Sequence, residues 1–231
     1  MCGRYPSPGK VELNEKVSRQ LHIENIPDGN NYNTAPTASA PVTISDHPNK
    51  IIPLRWGFDY LQGPTKAVRQ FINARAETLD ETKTFKGLIR NNRCIVYSKG
   101  FYEWDHKSGG DPKQPFLFMV NRGLTVYAGL WQNRMNMKTK LLEPCFVIIT
   151  CEPNNTVGAF HDRMPVILNE QQQKLWLSND LKQEELLSLL RPYPDEDMHV
   201  YPVTKSVNSI RNNSPDFMIP IDPNGGQQSL F

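Results

Sequence analysis

The stretch RCIVYSKGFYEW, residues 93–104, is rich in β-branched and aromatic side chains, as is typical of strands in a packed sheet. Four other short runs have the same character and are separated by residues that favour turns. They are KIIPLRWGF (50–58), QPFLFMV (114–120), LTVYAGLW (124–131) and CFVIIT (145–150). Together these runs predict a mostly antiparallel, barrel-like β core.

Helices are predicted on either side of these strands. Apolar residues at near-helical spacing predict a first helix over residues 10–23. The stretches 77–92 and 168–190 predict further helices, the second of them broken near 178–180. The proline-rich NYNTAPTASAPV, residues 31–42, cannot form a regular helix and is predicted to be an ordered loop.

The order of these elements predicts an α+β fold, because the strands do not alternate regularly with helices. We expect a single domain over residues 1–222, with three to four helices flanking the β core. Residues 223–231 are predicted to be a flexible C-terminal tail.

Length and composition narrow the class of protein. The chain of 231 residues has no run of about 18 apolar residues and no apolar signal segment, so a soluble cytoplasmic protein without membrane contact is expected. A net charge of +2 does not by itself indicate nucleic-acid binding. Cys94, Cys145 and Cys151 form no C-x-x-C pair and have no histidine at zinc-ligand spacing, so we expect reduced, buried cysteines and no metal or cofactor.

The N-terminal sequence MCGRY, residues 1–5, contains the most reactive candidate. Removal of Met1 would leave Cys2 with both a free α-amine and a thiol. Their reference pKa values are about 8 and about 8.5, so we expect both groups to be partly deprotonated at neutral pH. An amine and a thiol on one residue can capture an aldehyde as a Schiff base that closes to a five-membered thiazolidine. Position alone is also compatible with an ordinary cysteine that happens to be second.

Three further motifs carry candidate polar groups. INARAET (72–78) places Asn73, Arg75 and Glu77 on one face of an extended segment. GFYEW (100–104) places Glu103 between two aromatic residues, where desolvation would suit it to acid/base catalysis. HDRMP (161–165) places His161 in a charged cluster. Each motif, taken singly, also fits a capping, surface or turn role.

The ordered set MCGRY, YNTAPT, RWGF, INARAET, GFYEW and HDRMP resembles the SRAP family of SOS response-associated peptidase-like proteins, which crosslink to abasic sites in single-stranded DNA. The resemblance spans nearly the whole chain. It implies that Cys2 forms the thiazolidine, that Asn73 orients the ring-opened sugar, that Glu103 transfers protons, and that His161 acts at the sugar oxygen and in reversal.

The resemblance also implies a DNA-binding surface. Arg4, Arg75 and Arg163 would contact backbone phosphates, and Trp56 would stack on bases beside the lesion. The family's hydrophobic wedge cannot be matched residue by residue in GFDYLQGPTKAV, residues 57–68. A monomer acting on single-stranded abasic DNA at damaged sites in the nucleoid is expected, without cofactor.

Other functions remain open at this point. The family name records a peptidase activity, for which self-processing at Met1 gives a rationale. A glutamine amidohydrolase with an N-terminal nucleophile also begins Met-Cys-Gly, but Arg4 stands where an apolar residue is usual. A non-covalent binder of single-stranded DNA would use the same groove without the chemistry of Cys2.

The last residues, QQSLF, resemble the peptide by which bacterial repair proteins bind the replication sliding clamp. Gln227 would be the polar anchor, and Leu230 and Phe231 the apolar ones. An accidental polar tail with two apolar residues is the alternative.

Overall fold

Short strands dominate the computed structural model, which describes residues 2–17, 21–64, 66–105, 113–120 and 123–222. In chain order the strands are β1 (Tyr5–Ser7), β2 (His22–Ile23), β3 (Asn31–Thr34), β4 (Ser39–Ile44), β5 (Lys50–Trp56), β6 (Phe58–Gln62), β7 (Ala67–Phe71), β8 (Asn73–Arg75), β9 (Arg93–Ser98), β10 (Phe101–Trp104), β11 (Pro115–Val120), β12 (Thr125–Met135), β13 (Leu142–Cys151), β14 (Met164–Pro165) and β15 (Met198–Pro202). The helices are α1 (Lys10–Lys16), α2 (Leu88–Asn91), α3 (Asn155–Gly158), α4 (Glu170–Leu177) and α5 (Gln183–Ser188).

A closed five-stranded barrel forms the centre of the molecule. Antiparallel pairs join β13, β12, β9, β4 and β5 in that order, and a parallel pairing of β13 with β5 closes the ring. All six residues of β9 are buried, because other elements pack against the outside of the barrel as well. The predicted α+β fold, with a barrel-like antiparallel core in a single domain, is confirmed.

A second sheet, with the order β10, β11, β15, lies beside the barrel. Its two faces belong to different cores. Phe101 stacks on Phe118 at 5.0 Å and joins the main core, whereas Tyr102 and Leu117 face a smaller cluster around Phe217. The sheet therefore separates two apolar cores, and the alternation along β10 decides which residues face the barrel side.

Gly100 explains why residues 93–104 form two strands rather than one. Its φ of +140° is a conformation that other residues rarely adopt, and a Cβ there would lie 2.4 Å from the carbonyl oxygen of Phe118. The chain leaves the barrel after β9 and enters the second sheet as β10. This change of sheet brings Glu103 to the edge of the barrel.

The predicted helices are shorter than expected. The first helix ends at Lys16 instead of residue 23, because His22 pairs with Lys50 in a parallel strand contact. The predicted helix 77–92 is reduced to the 3₁₀ turn Ala76–Thr78 and α2. The break predicted near 178–180 is confirmed, since α4 ends at Leu177 and α5 begins at Gln183.

The loop predicted over residues 31–42 is wrong, since it contains β3 and most of β4. Pro41 lies opposite Pro53 in the antiparallel pair of β4 and β5. Proline has no backbone N–H to donate, and its presence concealed a strand that the barrel stabilises through its neighbours.

The three other cysteines are free and buried, as expected. No helix in the described part of the chain has the length and apolar character needed to cross a membrane. The predicted tail, with Gln227, Leu230 and Phe231, lies outside the described residues.

Arg93 is the polar centre that ties the helices to the barrel. It is fully buried at the start of β9, and its guanidinium donates to oxygen atoms at helix ends. These acceptors are the carbonyl oxygens of Ile89, Arg90, Trp176 and Ser178 and the side-chain oxygen of Asn179. Carbonyl groups at the end of a helix have no hydrogen-bond partner within the helix, and Arg93 supplies donors to them.

Replacing Arg93 by alanine should therefore destabilise the protein by about 3 kcal/mol or more, because several buried acceptors lose their donor together. Urea denaturation of Arg93→Ala measures this loss. Arg90→Ala is the matched control, since the Arg90 side chain is exposed and, among the described residues, makes one hydrogen bond, to Gln183 at 3.2 Å. Equal, small effects of both variants would contradict the assigned role of Arg93.

Candidate active site

Cys2 lies at the junction of the barrel and the second sheet. The segment that follows it is held by two backbone bonds on either side of Gly100, from Lys99 N to Pro6 O at 2.9 Å and from Tyr102 N to Arg4 O at 3.0 Å. Strand β1 then pairs with β3. The N-terminal segment is therefore fixed at the point where β9 passes into β10.

The Cys2 side chain is 0% exposed. Burial raises the pKa of its thiol far above the usual range, and the nearby carboxyl of Glu103 raises it further. The expectation of a thiol partly ionised near its reference pKa is therefore wrong for this environment. The thiol is neutral at pH 7, and a proton acceptor is needed before the sulfur can act as a strong nucleophile.

Asn73 binds Cys2 directly. Its side-chain Nδ2 donates to the carbonyl oxygen of Cys2 at 3.0 Å. Asn73 begins β8, which runs parallel to β13 with Asn73 opposite Ile148. Ala74 is buried, while Asn73 and Arg75 lie on the opposite face, as alternation along a strand requires. The Oδ1 atom of Asn73 is buried and has no hydrogen-bond partner among the described residues.

Glu103 lies on the face of β10 that points toward the barrel. It is only 3% exposed and sits directly opposite Phe116 in the pairing of β10 with β11. Burial raises the pKa of Glu103 to about 7, and the negative charge of Asp162 contributes to the increase. This carboxyl can therefore accept or donate a proton near neutral pH.

Phe160 brings His161 to the same face. Its ring lies 4.7 Å from that of Phe116 and 5.3 Å from that of Phe118. Phe116 is the cross-strand partner of Glu103, and opposite residues in an antiparallel pair share a face. His161 therefore directly follows a residue that packs on the face carrying Glu103.

The His161 imidazole has two alternative contacts at one atom. Its Nδ1 lies 2.8 Å from Oδ1 of Asp162 and accepts from the backbone N–H of Arg163 at 3.0 Å. A protonated Nδ1 donates to Asp162, and an unprotonated Nδ1 accepts from Arg163, so both bonds cannot form together. The local structure thus offers a partner to each protonation state of Nδ1.

The fold brings the four predicted catalytic residues around one centre. Asn73 is bonded to Cys2, Cys2 is within electrostatic range of Glu103, and Glu103 is within range of the residue next to His161. They come from the N-terminus, β8, β10 and the loop before β14. No group of three or more Asp, Glu, His or Cys side chains suited to a metal ion occurs in the described ranges.

The three arginines predicted to bind DNA differ in how many partners their guanidinium groups already have in the protein. Arg4 donates to Oδ1 of Asn33 at 2.8 Å and to the carbonyl oxygen of Val207 at 3.0 Å, and its guanidinium lies 5.9 Å from the Trp104 ring centroid. Arg75 is exposed and makes no ion pair within the described residues. Arg75 is therefore the more available cation of these two.

Arg163 is held in place by neighbouring oxygens. Its guanidinium donates to both carboxylate oxygens of Glu77, at 3.0 and 2.8 Å, and to the carbonyl oxygen of Thr150 at 2.6 Å. This fork fastens the loop carrying His161 to β13 and to the turn after β8. Arg163 therefore holds its own loop in place. Its predicted contact with a DNA phosphate stays a prediction.

The prediction that Trp56 stacks on DNA bases is wrong. Its side chain is 0% exposed, and its ring packs on Tyr5 at 5.0 Å and stacks with Phe146 at 6.4 Å. The sequence alone did not reveal this burial, because an aromatic residue at the end of a strand suits either a core or a surface. Within the described residues of 57–68, the exposed large apolar side chains are Leu61 and Val68, on the hairpin of β6 and β7.

Asn33 is a site residue that the sequence analysis did not single out. Its amide accepts from Arg4 and donates to the carbonyl oxygens of Val207, Ser209 and Asn212. It thereby links the N-terminal segment to residues 207–212. The available signal was its place in YNTAPT, but no local pattern indicates contacts more than 170 residues away in sequence.

The environment of Glu103 predicts a pH-dependent stability. Its carboxyl ionises near 4.5 in an unfolded chain but near 7 in the fold, so the folded protein binds the extra proton between these values. Because of this group, the free energy of unfolding of the protein falls as pH rises from about 4.5 to about 7. Glu103→Gln should gain roughly 2–3 kcal/mol relative to the wild type between pH 4.5 and pH 8, measured by urea denaturation. Glu184→Gln, on the exposed side of α5, should show no such change, and a pH-independent difference for Glu103→Gln would contradict the burial argument.

The chain is similar to known proteins over most of its length. Residues 1–210 match the family described as SOS response associated peptidase (SRAP). The abasic site processing protein YoqW of Bacillus subtilis (strain 168) is 34% identical over 228 residues, which cover 94% of this chain and 99% of the relative. The abasic site processing protein HMCES of Rattus norvegicus is 29% identical over 252 residues, covering 91% of this chain and 71% of the relative.

A crystal structure of a protein from Bacteroides thetaiotaomicron has the same fold. Its TM-score is 0.77 at 23% sequence identity, and the match covers 95% of this chain and 99% of that one. The sequence match extends over most of the chain and includes the segments that form the barrel and the site. The chain belongs to the SRAP family.

Proposed function

We propose that this protein processes abasic sites in DNA, by linking Cys2 covalently to the aldehyde of the ring-opened sugar. The observation that carries the proposal is the buried Cys2, held by the Asn73 amide beside a carboxyl whose pKa is about 7. The names of the relatives support abasic sites as the substrate. Removal of Met1, which frees the Cys2 α-amine, is part of the proposal.

The reaction consists of a condensation followed by a ring closure. The α-amine adds to the aldehyde carbon, and the resulting hydroxyl leaves as water to give an imine. The thiol sulfur then adds to the imine carbon, its proton is removed and the imine nitrogen is protonated, which gives a thiazolidine. One aldehyde and one aminothiol are thus converted to one thiazolidine and one water.

Glu103 is suited to both proton transfers. Its protonated form can donate to the departing hydroxyl, and the carboxylate so produced can accept the proton of the Cys2 thiol. The second transfer is needed because burial keeps that thiol neutral. With a pKa of about 7, both the protonated and the ionised form of Glu103 are populated near neutral pH. General acid catalysis needs the first form and general base catalysis the second.

Asn73 and His161 are proposed to hold the sugar. The buried Oδ1 of Asn73 is an acceptor available to a hydroxyl of the opened sugar, while Nδ2 keeps the Cys2 carbonyl in place. His161 would act at the sugar oxygen, and exchange of its Nδ1 contact between Asp162 and Arg163 would accompany proton transfer.

Single-stranded DNA is the proposed form of the substrate. A site this enclosed requires the abasic sugar to leave the base stack, and the cost is lowest where no paired strand must be displaced. Arg75 lies on the strand that carries Asn73 and is exposed, so it is the first candidate for a phosphate contact. Arg4, held beside Trp104, is the second.

The neutral thiol favours this chemistry over hydrolysis of amides. Attack on an unactivated amide, as in a peptidase or a glutamine amidohydrolase, depends on the thiolate, which burial disfavours. An imine is a stronger electrophile, and the thiol reaches it within the same residue.

A monomeric state and recruitment to the sliding clamp through the C-terminal residues stay predictions from the sequence.

Intact-mass spectrometry with a single-stranded oligonucleotide containing one abasic site tests the proposal. The expected product is the protein without Met1 plus the DNA minus one water. Cys2→Ala keeps the α-amine but has no sulfur, so it should give no stable product. Cys2→Ser also keeps the amine and offers a hydroxyl as a poorer nucleophile, which makes it the matched control for loss of sulfur. DNA retention without a covalent product would indicate a non-covalent binder, and no interaction at all would direct attention to glutamine and peptide hydrolysis.

Glu103→Gln should slow adduct formation by about 100-fold or more at saturating DNA, since it removes the acid and the base together. The wild-type rate should depend on pH with a transition near 7, where the Glu103 carboxyl titrates. Quenched time courses between pH 5 and pH 9 measure both effects. Glu103→Asp should retain part of the rate, and a Glu103→Gln rate equal to wild type would eliminate the proton-transfer role.

A further inference from the structure

Trp56 lies behind the proposed site rather than on the DNA surface, and its contacts lead to both halves of that site. The side chain is 0% exposed, and its indole Nε1–H donates to the carbonyl oxygen of Ile72 at 2.8 Å. Ile72 directly precedes Asn73. The same carbonyl accepts from the backbone N–H of Ile148 at 3.1 Å, so both of its acceptor sites are used.

This pair of bonds fixes where β8 begins. The Ile148 bond ties β8 to β13, and the Trp56 bond ties it to the end of β5. The three residues of β8, Asn73–Arg75, pair with β13, and the Trp56 bond adds an anchor from a second barrel strand directly before Asn73. The orientation of the Asn73 amide therefore depends strongly on the indole.

The other side of the Trp56 ring contacts the N-terminal segment. Its ring centroid lies 5.0 Å from that of Tyr5, which in turn meets the ring of Tyr127 edge-on at 5.8 Å. Tyr5 is fully buried and follows Cys2 by three residues. The ring therefore sets how deeply the segment carrying Cys2 enters the junction.

The contacts form a closed circuit. Trp56 binds Ile72, Asn73 follows Ile72 and donates to Cys2, and the Cys2 segment returns to Trp56 through Tyr5. We propose that Trp56 is a positioning residue that sets the distance and angle between Cys2 and Asn73. This inference rests on the proposed function for its catalytic consequence, although the positioning itself does not depend on that function.

A small displacement of reacting groups has a large kinetic effect, since effective molarity depends on alignment. Trp56→Phe keeps an aromatic ring and removes the N–H donor. We expect the rate of adduct formation at saturating abasic DNA to fall by about tenfold to 100-fold. Affinity for an oligonucleotide with a tetrahydrofuran abasic analogue, which has no aldehyde, should stay within about twofold because Trp56 has no exposed surface.

Trp176 provides the matched control. It is also 0% exposed, and its indole N–H also donates to a backbone carbonyl, that of Cys94 at 3.0 Å. It belongs to α4, which contributes none of the proposed catalytic residues. Trp176→Phe should cost comparable stability and leave the saturating rate near that of wild type.

Hydrogen exchange supplies a readout that requires no chemistry at Cys2. Trp56→Phe should raise exchange in residues 2–7 and 72–75, and Trp176→Phe should not. Should Trp56→Phe fail to fold, the same measurements are made on Trp56→benzothienylalanine. This residue replaces the indole N–H by sulfur at nearly constant shape.

The outcomes separate the two proposals. A lower saturating rate with unchanged analogue affinity, confined to position 56, supports positioning. Lower affinity with an unchanged rate, or equal slowing by the Trp56 and Trp176 variants, overturns it. If the wild type forms no adduct, the proposed function fails, and hydrogen exchange alone decides whether Trp56 orders the Cys2 and Asn73 segments.

Discussion

The hydrogen bond from Asn73 Nδ2 to the Cys2 carbonyl is the contact on which the site depends. It joins the N-terminal segment to a three-residue strand on the outside of the barrel, and neither element is long enough to hold its position alone. The barrel supplies the missing rigidity, through β13 beside Asn73 and through Trp56 behind it. Cys2 is thus placed by tertiary contacts and not by the geometry of one helix or strand.

Burial gives this arrangement its chemical character. Burial raises the pKa of both the Cys2 thiol and the Glu103 carboxyl, and the nearby carboxyl disfavours ionisation of the thiol further. The thiol stays neutral, while the Glu103 carboxyl has a pKa of about 7. A site of this kind is poorly suited to a free thiolate and well suited to an electrophile that accepts amine and sulfur in turn. Under the proposed function, the same burial would require the DNA to present its sugar away from the base stack.

Residue patterns predicted the parts of the fold and the site better than their connections. Strand composition located four of the five barrel strands, β5, β9, β12 and β13, but missed β4, whose proline-rich sequence suggested a loop. The motifs around Cys2, Asn73, Glu103 and His161 identified the groups of the candidate site. The single strand expected over 93–104 did not reveal that Gly100 divides it between two sheets. That division depends on a close approach to Phe118, which lies on another strand.

Burial was the property that local patterns indicated least well. Trp56 was expected to face DNA and lies in the core, and the ionised fraction expected for the Cys2 thiol ignored its surroundings. The contacts of Asn33 to residues 207–212 were also hidden, because they join opposite ends of the chain. In each case the determining neighbours are distant in sequence, so propensity and periodicity carry no information about them.

The central claim is that both nucleophiles of Cys2 bond to one sugar carbon. An abasic oligonucleotide labelled with ¹³C at C1′ tests it directly by NMR of the purified complex. The account predicts a saturated carbon bonded to one nitrogen and one sulfur, with coupling to a ¹⁵N label on Cys2 and loss of the free thiol. An imine carbon that leaves the thiol free, or a bond to a lysine nitrogen, would contradict it.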